Sequence, residues 1–298
     1  MMKNRIYGVV GIESKLANWN ADFEGMPRRM ESTDTIYGTD KALKYSMRNM
    51  WNMFGEDLLI FKELKIDKDK MIVKTLEEKY TDKYGKLDKS GKRITKVLEN
   101  LFNYTDVKQF GVAFATTGNN VSITGAVQIM QGIDVLESET MEVDILSPFA
   151  SGEGKGQSTL GKQYIQEHSL YLYPFTVNPL AYKKWVDLGV TDGYTEEDYN
   201  KFKEGITKGA TMLDSCSKVG CSNNFAIFVK VGEKQVMANL NNRIFIEKED
   251  NGSFIIDINI ADMLPQDAEV EVYYNNLKDT LNVDAECKKF NIITGEEI

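Results

Sequence analysis

The segment from residue 5 to residue 54 constrains the fold more than any other part of the chain. An apolar run at 5–12 predicts a buried strand, and a polar loop then leads to an amphipathic helix that starts near Thr39. Three cations of that helix, Lys41, Lys44 and Arg48, are spaced i, i+3 and i+7, on a face next to its apolar stripe. A helix that packs by one face and is basic on the next can hold a polyanion against a sheet. Because Lys44 and Arg48 lie off the apolar stripe, we expect their replacement to leave folding intact.

The rest of the chain continues the alternation of strands and helices. A second amphipathic helix is predicted near 196–214, and a mostly helical insertion is predicted at 60–105. Further strands are predicted at 109–116, 121–129, 171–179, 225–231, 243–248, 253–260 and 270–274. In order, the core elements read β-α-β-β-α-β. This order predicts an α+β fold with the ferredoxin-like topology of an RNA recognition motif.

The strand predicted at 109–116 has one large and one small face. Its even-numbered positions from Phe110 to Phe114 are apolar and large, whereas its odd-numbered positions from Gly111 to Ala115 are small. Small residues mark the close approach of another group. The small face can therefore receive a packed helix, which is the more common case, or a ligand.

Net charge limits how this chain can bind nucleic acid. The 298 residues carry a formal charge of −9, so nucleic-acid binding requires a local basic surface. Outside the basic helix, the residues that could contribute to such a surface are Asn18, Asn20, Arg28, Arg29, Lys155, Lys162 and Lys218. Arginine and lysine neutralise phosphates, while amides fix the register of the backbone. The two lysines Lys155 and Lys162 lie in a glycine-rich segment, 147–163, which we interpret as a long flexible protrusion.

Several classes of chemistry have little support in the composition. The single histidine, His168, has no partner at a recognisable spacing, so a histidine-based catalytic site is not expected. Cys216 and Cys221 lack a second pair of ligands, so the sequence predicts no metal site and no cofactor. Three cysteines, no recognisable signal peptide and no apolar run of bilayer length predict a cytoplasmic protein with no membrane partner.

One carboxylate leaves an enzymatic alternative open. Asp22 follows the first predicted strand, in the polar loop, and could take part in metal-assisted cleavage. Hydrolysis generally requires paired metal ligands or a base in addition. A lone aspartate is therefore weak support for catalysis.

Three blocks of the sequence resemble one known family. The first is the strand at 5–12 with its asparagine-rich loop and Pro27-Arg28, and the second is the basic helix segment from Ala42 to Arg48. The third joins 110–113 to 124–128, which ends at Gln128 and resembles a family block in which proline stands at the position of Ala126. In this succession the chain resembles the Cas7 family of the RAMP superfamily, the backbone subunits of type I CRISPR surveillance complexes, and most of all its type I-B branch.

The resemblance implies a fold and a role. It implies a single RRM-like palm over 1–298, with a helical fingers insertion at 50–107 and a flexible thumb loop at 145–170. It implies that copies of the chain form a helical filament along one CRISPR RNA, together with other Cascade subunits, and present that RNA for pairing with target DNA. Lys44 and Arg48 carry over as phosphate contacts and Gln128 as a residue of the RNA site, whereas Lys41 is inferred from helix geometry. The implied subunit is non-catalytic; the alternative is a metal-dependent endoribonuclease like the type III relatives, which use an aspartate at the position of Asp22.

Overall fold

Strands and helices alternate along the chain in a mixed α/β fold. The computed structural model describes residues 1–88, 93–116, 118–147 and 159–298. The strands are β1 Arg5–Ala17, β2 Tyr37–Gly38, β3 Leu64–Asp67, β4 Lys70–Val73, β5 Gly111–Thr116, β6 Asn119–Thr124, β7 Val127–Ile129, β8 Gly132–Asp134, β9 Thr140–Ser147, β10 Thr159–Val177, β11 Cys221–Val231, β12 Ile244–Lys248, β13 Phe254–Ile258, β14 Glu269–Tyr274, β15 Thr280–Val283 and β16 Lys288–Asn291. The helices are α1 Asp40–Met53, α2 Leu76–Tyr84, α3 Ile94–Phe102, α4 Thr105–Phe110, α5 Lys183–Asp187 and α6 Glu196–Lys208.

The largest sheet is centred on β1. Its strand order is β16-β14-β11-β1-β10-β8-β2, and β7 and β9 also pair with β10. On its two sides, β1 pairs antiparallel with β10 and with β11. The chain passes through α1 between β1 and β8 and through α6 between β10 and β11. The strand predicted at 109–116 does not join this sheet. From Gly111 it forms β5, which pairs with β6 in a separate two-stranded sheet, whereas Gln109 and Phe110 end α4.

Both faces of the central strand are buried. Alternate residues of β1, such as Ile6 and Val10, pack into a core that also holds Met47 of α1 and Phe202 of α6. The intervening residues, such as Val9, pack into a second core beneath the small sheet β12-β13-β15. A strand with both faces covered is expected to be continuously apolar, as the run at 5–12 is. The two cores hold the first strand rigidly between a helical layer and a second sheet.

The insertion at 60–105 is less helical than predicted. A β-hairpin, β3–β4, occupies Leu64 to Val73, followed by α2 and α3. The two residues of its turn, Lys68 and Asp69, both have positive φ, which suits the twist of a two-residue hairpin. The two strands are mostly exposed, so backbone pairing and this turn define the hairpin in a segment whose lysine and glutamate content favoured a helix.

The predicted strand at 121–129 is two strands in different sheets. β6 ends at Thr124 and pairs with β5, whereas β7 begins at Val127 and pairs with β10. Between them, a Cβ added at Gly125 would lie 2.2 Å from the carbonyl carbon of Phe110. This close approach of two backbones is the reason for glycine at this position, and it marks the point where the chain leaves one sheet for another.

The two described ends of the predicted protrusion lie in a two-stranded ribbon, whereas 148–158 lie outside the described residues. β9 and β10 pair antiparallel from Thr140 opposite Gln166 to Ser147 opposite Thr159. The prediction of a loop through residue 163 was therefore wrong for 159–163, because backbone pairing with β9 orders these residues despite their glycine content. Lys162 lies in the ribbon, and Lys155 lies outside the described residues.

Candidate nucleic-acid interface

The N-terminal end of α1 is anchored to the loop that follows β1. Thr39 is the N-cap, and its hydroxyl oxygen accepts a hydrogen bond from the backbone N–H of Ala42 at 3.2 Å. The Asn20 side-chain oxygen accepts two bonds of 2.8 Å, from the backbone N–H and the hydroxyl of Thr39. The helix start and the loop therefore form one hydrogen-bonded unit, and the amide oxygen of Asn20 is occupied inside the protein.

A basic groove lies between α1 and the hairpin β5–β6. We use this name for an open cleft of about 580 Å³ whose lining includes Lys41, Lys44, Arg48, Phe110 and Ala113. The apolar stripe of α1 turns the other way and is buried, as the sequence predicts. The three cations of the helix thus share one concave surface.

The small face of β5 is open rather than covered by a helix. Ala113 and Ala115 are both exposed, and Gly111 and Ala113 form part of the lining of the basic groove. Among the described residues, no helix covers Ala113 or Ala115, although a packed helix is the more common outcome for small residues. The short side chains instead leave room beside the cations of α1.

Two of the three cations are held by carboxylates. The Lys44 amino group donates to Asp40 at 2.9 Å, and the Arg48 Nε donates to Asp106 at 2.9 Å. Both cations also lie over the half-buried ring of Phe110, at 5.3 Å and 5.1 Å from its centroid. Burial alone would raise the pKa of Asp40, but the hydrogen bond and charge of Lys44 outweigh it and hold the pKa below its usual value. These contacts fix where the two cations point.

Lys41 differs from its two neighbours on the helix. Its side chain is 86% exposed, and its amino group lies 3.7 Å from the nearest Asp40 oxygen, too far for a hydrogen bond. A phosphate can therefore approach Lys41 without displacing an internal partner. Lys41 is the predicted helix contact that is most free to meet a ligand.

Asn18, Arg29 and Lys218 hold the protein together and do not line the basic groove. Buried Asn18 donates through its amide nitrogen to the carbonyl oxygens of Gly25 and Tyr164, at 3.0 Å and 3.1 Å. The Lys218 amino group donates to the Asn18 carbonyl oxygen. Burial lowers the pKa of Lys218. Arg29 bonds Asp34 at 2.8 Å and the Thr140 hydroxyl at 3.0 Å. The sequence identifies these polar side chains, but it does not show that each forms hydrogen bonds to other parts of the same chain.

Three other predicted residues are dispersed. Gln128 is exposed, donates to the Gly125 carbonyl oxygen at 2.9 Å, and lines a separate cleft of about 410 Å³ beside Tyr7. Lys162 pairs with Glu142 across the β9–β10 ribbon. Arg28 has no ion pair among the described residues, and its guanidinium carbon lies 6.0 Å from the centroid of the Phe23 ring. The structure therefore brings together the helix cations, whereas these residues occupy other surfaces.

Comparison of the sequence with models of known protein families identifies the family of this chain. The model of the family described as "CRISPR-associated protein Cas7" matches residues 4–263, which include β1, the polar loop, α1 and the strands of the basic groove. The chain belongs to the Cas7 family. No curated protein sequence is similar enough to this Cas7 protein to count as a match.

Two solved structures align with this Cas7 protein at low identity. A chain of a "CRISPR RNA-guided surveillance complex, pre-nicking" aligns at 12% identity and a TM-score of 0.49, over 78% of this chain and 80% of that one. A chain of a "CRISPR RNA-guided surveillance complex" aligns at 11% identity and a TM-score of 0.48, over 93% and 95%. Family membership rests on the sequence match and not on these alignments.

Asp22, the aspartate on which the enzymatic alternative depends, has a structural role in this Cas7 chain. The Asp22 Oδ1 accepts the backbone N–H groups of Glu24 at 2.8 Å and Met26 at 3.0 Å, which closes a tight turn. Over the described residues, no group of three or more His, Cys, Asp or Glu side chains could hold a metal ion. These contacts account for an aspartate at this position without catalysis.

His168 is a buried structural residue, as its lack of sequence partners suggests. Its Nε2 lies 2.7 Å from a Glu13 oxygen, and the Lys278 amino group donates to the same carboxylate at 2.7 Å and 2.9 Å. Burial raises the pKa of Glu13, but the hydrogen bonds from His168 and Lys278 outweigh it and leave the pKa below its usual value.

In the part of the chain that the structure describes, no helix combines the length and the apolar character needed to cross a lipid bilayer.

Sequence reasoning missed the two acidic residues that position the groove cations. Asp40 is four residues before Lys44, a spacing at which an ion pair on a helix can be foreseen. Asp106 is separated from Arg48 by 58 positions, and nothing in the local sequence links them. Phe110 was predicted as core, but its ring also lies beneath both cations.

Proposed function

We propose that this Cas7 chain is the guide-RNA-binding backbone subunit of a type I CRISPR interference complex, of the type I-B branch, and that it is not a nuclease. Copies of the chain line up along one CRISPR RNA as a helical filament, with other Cascade subunits, in the cytoplasm. The RNA held in this way pairs with target DNA. The observation that carries this proposal is the basic groove, in a chain of the Cas7 family.

The chemistry of the groove suits a sequence-tolerant grip on single-stranded RNA. Lys41, Lys44 and Arg48 place three cations along about 10 Å of helix, and phosphate contacts of this kind carry no sequence information. Gly111 and Ala113 line the groove with small residues, which leaves space for the ribose-phosphate backbone beside the three cations. A guide of any sequence could then bind in the same way.

The fold supports the same role. The strand order β11-β1-β10-β8, with α1 and α6 as the connecting helices, supports the RRM-like palm that we propose for this chain. In this reading the segment 50–107, which contains β3, β4, α2 and α3, is the fingers. The segment 145–170, whose described part is the β9–β10 ribbon, is the thumb that reaches a neighbouring copy.

The first experiment measures the nucleic acid that co-purifies with the chain. The chain is co-expressed with the CRISPR array and its partner subunits, washed at high salt, and sized. We expect a discrete RNA of guide length in a large complex. RNA-free protein of monomer size, with all partners present, would contradict the proposal.

Matched variants assign the RNA to the groove. Lys41→Ala together with Lys44→Ala should lower RNA retention with little change in stability, because a helix ion pair of the Lys44–Asp40 kind is worth about 0.3–0.5 kcal/mol. Lys288→Ala together with Lys289→Ala, on β16 and outside the groove lining, removes the same two charges elsewhere and should retain the RNA. Equal loss in both variants would show that charge in general, and not this groove, holds the RNA.

The absence of catalysis is tested at Asp22. An Asp22→Asn variant removes the carboxylate charge while its amide oxygen can still accept the two turn hydrogen bonds. We expect neither the parent complex nor this variant to cleave target RNA when Mg²⁺ or Mn²⁺ is supplied. Metal-dependent cleavage by the parent that is lost in the assembled Asp22→Asn complex would show that the chain is an endoribonuclease.

A further inference from the structure

Phe23 is the most exposed large apolar side chain among the described residues. Its relative exposure is 102%, so the ring touches almost nothing in its own chain. A single exposed apolar residue is ordinary on a protein surface. What distinguishes Phe23 is the rigidity of the turn that presents it and the presence of a cation nearby.

The turn is fixed by hydrogen bonds on both sides of the ring. Besides the two bonds to the Asp22 carboxylate, the Asp22 N–H donates to the Met26 carbonyl oxygen at 2.8 Å. Gly25 has φ of +86°, as a tight turn requires, and its carbonyl oxygen receives the Asn18 amide at 3.0 Å. The same amide bonds the Tyr164 carbonyl oxygen in β10, which ties the turn to the central sheet. The ring is thus held out on a rigid support, at little further entropic cost when a partner binds.

Arg28, the cation near the Phe23 ring, has no ion pair among the described residues. Arg28 lies with its guanidinium carbon 6.0 Å from the Phe23 centroid, and its buried Nε has no hydrogen-bond partner within the described residues. Lys44, Arg48, Arg29 and Lys162, in contrast, each have a carboxylate partner. The charge of Arg28 is therefore available to an anion from outside the chain.

The turn and the basic groove are joined through Asn20. The Arg28 N–H donates to the Asn20 carbonyl oxygen at 3.3 Å, while the Asn20 side chain caps the start of α1 through Thr39. Lys41, the most exposed groove cation, is two residues further along the helix. Arg28 and Phe23 therefore lie on the loop that is hydrogen-bonded to the start of the helix that carries the groove cations.

We propose that Phe23 is a stacking platform for one unpaired RNA base, and that Arg28 binds the phosphate beside that base. This inference rests on the proposed function and adds a base contact to a grip made otherwise of phosphate contacts. Base stacking on an aromatic ring tolerates any base, since every base has a π face. The platform therefore strengthens binding without reading the guide.

A nucleotide fits this site better than the apolar surface of a protein would. An apolar partner that covered Phe23 would also cover Arg28 and leave an unpaired charge out of water, which is unfavourable. A nucleotide offers a flat ring and a negative charge in one ligand, and so satisfies both side chains. The charge on Arg28 is the observation that favours RNA over a second copy of the chain.

The test compares RNA with and without bases. Affinity of the purified chain is measured at one salt concentration for a single-stranded RNA of mixed sequence and for an abasic ribose-phosphate strand of equal length. Phe23→Ala should weaken binding of the normal RNA by about 5- to 150-fold and leave binding of the abasic strand almost unchanged. Phe23→Trp should bind like the parent, and Phe23→Leu should behave like Phe23→Ala.

Controls separate this inference from the proposed function. Leu277→Ala removes another side chain that is 87% exposed and should change neither affinity. Salt-sensitive RNA binding that is equal in the parent and in Phe23→Ala would overturn the stacking platform alone. Equal weakening on both strands, or restoration by Phe23→Leu, would show that the ring contacts protein, and this too would overturn it. Failure of the parent to bind any RNA would overturn both proposals.

Discussion

Replacing Arg48 with alanine should destabilise the protein as well as remove a groove cation. The Asp106 carboxylate is fully buried, with 0% of its side chain exposed, and it accepts bonds from the Leu59 N–H at 2.9 Å, the Ile60 N–H at 2.8 Å and the Arg48 Nε at 2.9 Å. Removal of Arg48 leaves that buried charge with two backbone donors and, among the described residues, no cation in hydrogen-bond contact. Breaking a buried ion pair from one side costs about 3–5 kcal/mol. Since the two backbone bonds remain, we expect a loss near 3 kcal/mol, a large part of the roughly 5–15 kcal/mol that stabilises a typical domain.

Urea unfolding of matched variants measures this loss. Lys41→Ala is the control, because it removes an exposed cation from the same helix and should change the free energy of unfolding by less than about 0.5 kcal/mol. Arg48→Lys keeps a cation beside the Asp106 carboxylate and should retain part of the stability that is lost in Arg48→Ala. If Arg48→Ala were as stable as Lys41→Ala, the Arg48–Asp106 pair would not contribute to the fold as argued.

The same pair changes how RNA-binding variants must be chosen. From the sequence, Lys44 and Arg48 lie off the apolar stripe, so replacing them was expected to leave folding intact. For Arg48 the buried pair leads to the opposite prediction, because Arg48→Glu would place a second negative charge against buried Asp106. Loss of RNA in such a variant could follow from unfolding alone. Lys41 and Lys44 are the positions at which a loss of RNA can be assigned to lost phosphate contacts.

Three further outcomes follow from single contacts. Lys41→Ala should reduce the slope of log affinity against log salt concentration by about 0.7, measured by RNA titration at several salt concentrations, because one phosphate contact is lost. Asn20→Ala should lower the free energy of unfolding by about 1–3 kcal/mol in urea, because the Thr39 N–H at the start of α1 loses its acceptor. The pKa of Glu13 is lower in the folded state, so its stabilisation is present above the unfolded-state pKa near 4.3 and is lost as pH falls through the folded value. Glu13→Gln should therefore flatten the decline of stability in acid, measured by urea unfolding between about pH 3 and pH 6.

Local patterns predicted the elements that depend on local interactions. The helix at Asp40–Met53 is capped by Thr39, one of the two predicted caps (Thr39 or Asp40). Leu43, Met47, Met50 and Trp51 of the predicted apolar stripe are buried, whereas Phe54 at its end is exposed. The hairpin β12–β13 forms where the turn signal Asp250-Asn251-Gly252 stands between apolar runs, and Gly252 has φ of +82°. In these cases the deciding interactions lie within a few residues along the chain. Spacing and turn chemistry were sufficient for them.

Long-range contacts decided the rest, and the sequence carries little sign of them. The strand predicted at 121–129 divides because Gly125 lies against the backbone of Phe110, in a segment fifteen residues earlier. Asn18 and Lys218 have the composition of an RNA site, yet each is used by a contact to a distant part of the chain. A polar side chain in a sequence shows which bonds it can form but not whether the fold has already formed them. This is why the basic helix was located correctly while several of the supporting residues were not.

The internal pairing of the groove cations also bears on how a chain with a net charge of −9 can hold RNA. Lys44 and Arg48 carry their own carboxylates, so a phosphate that approaches them meets nearly neutral pairs rather than two full positive charges. Lys41 and Arg28 supply charge that is not hydrogen-bonded to a carboxylate, which limits the affinity of one copy for RNA. Copies that bind side by side on one strand gain from high effective concentration, and their combined affinity can exceed that of a single copy by orders of magnitude. Weak single-copy binding would then favour long RNA that many copies share and would disfavour short fragments. Affinity should therefore rise steeply with RNA length, whereas a chain that bound tightly as a monomer would show almost no dependence on length.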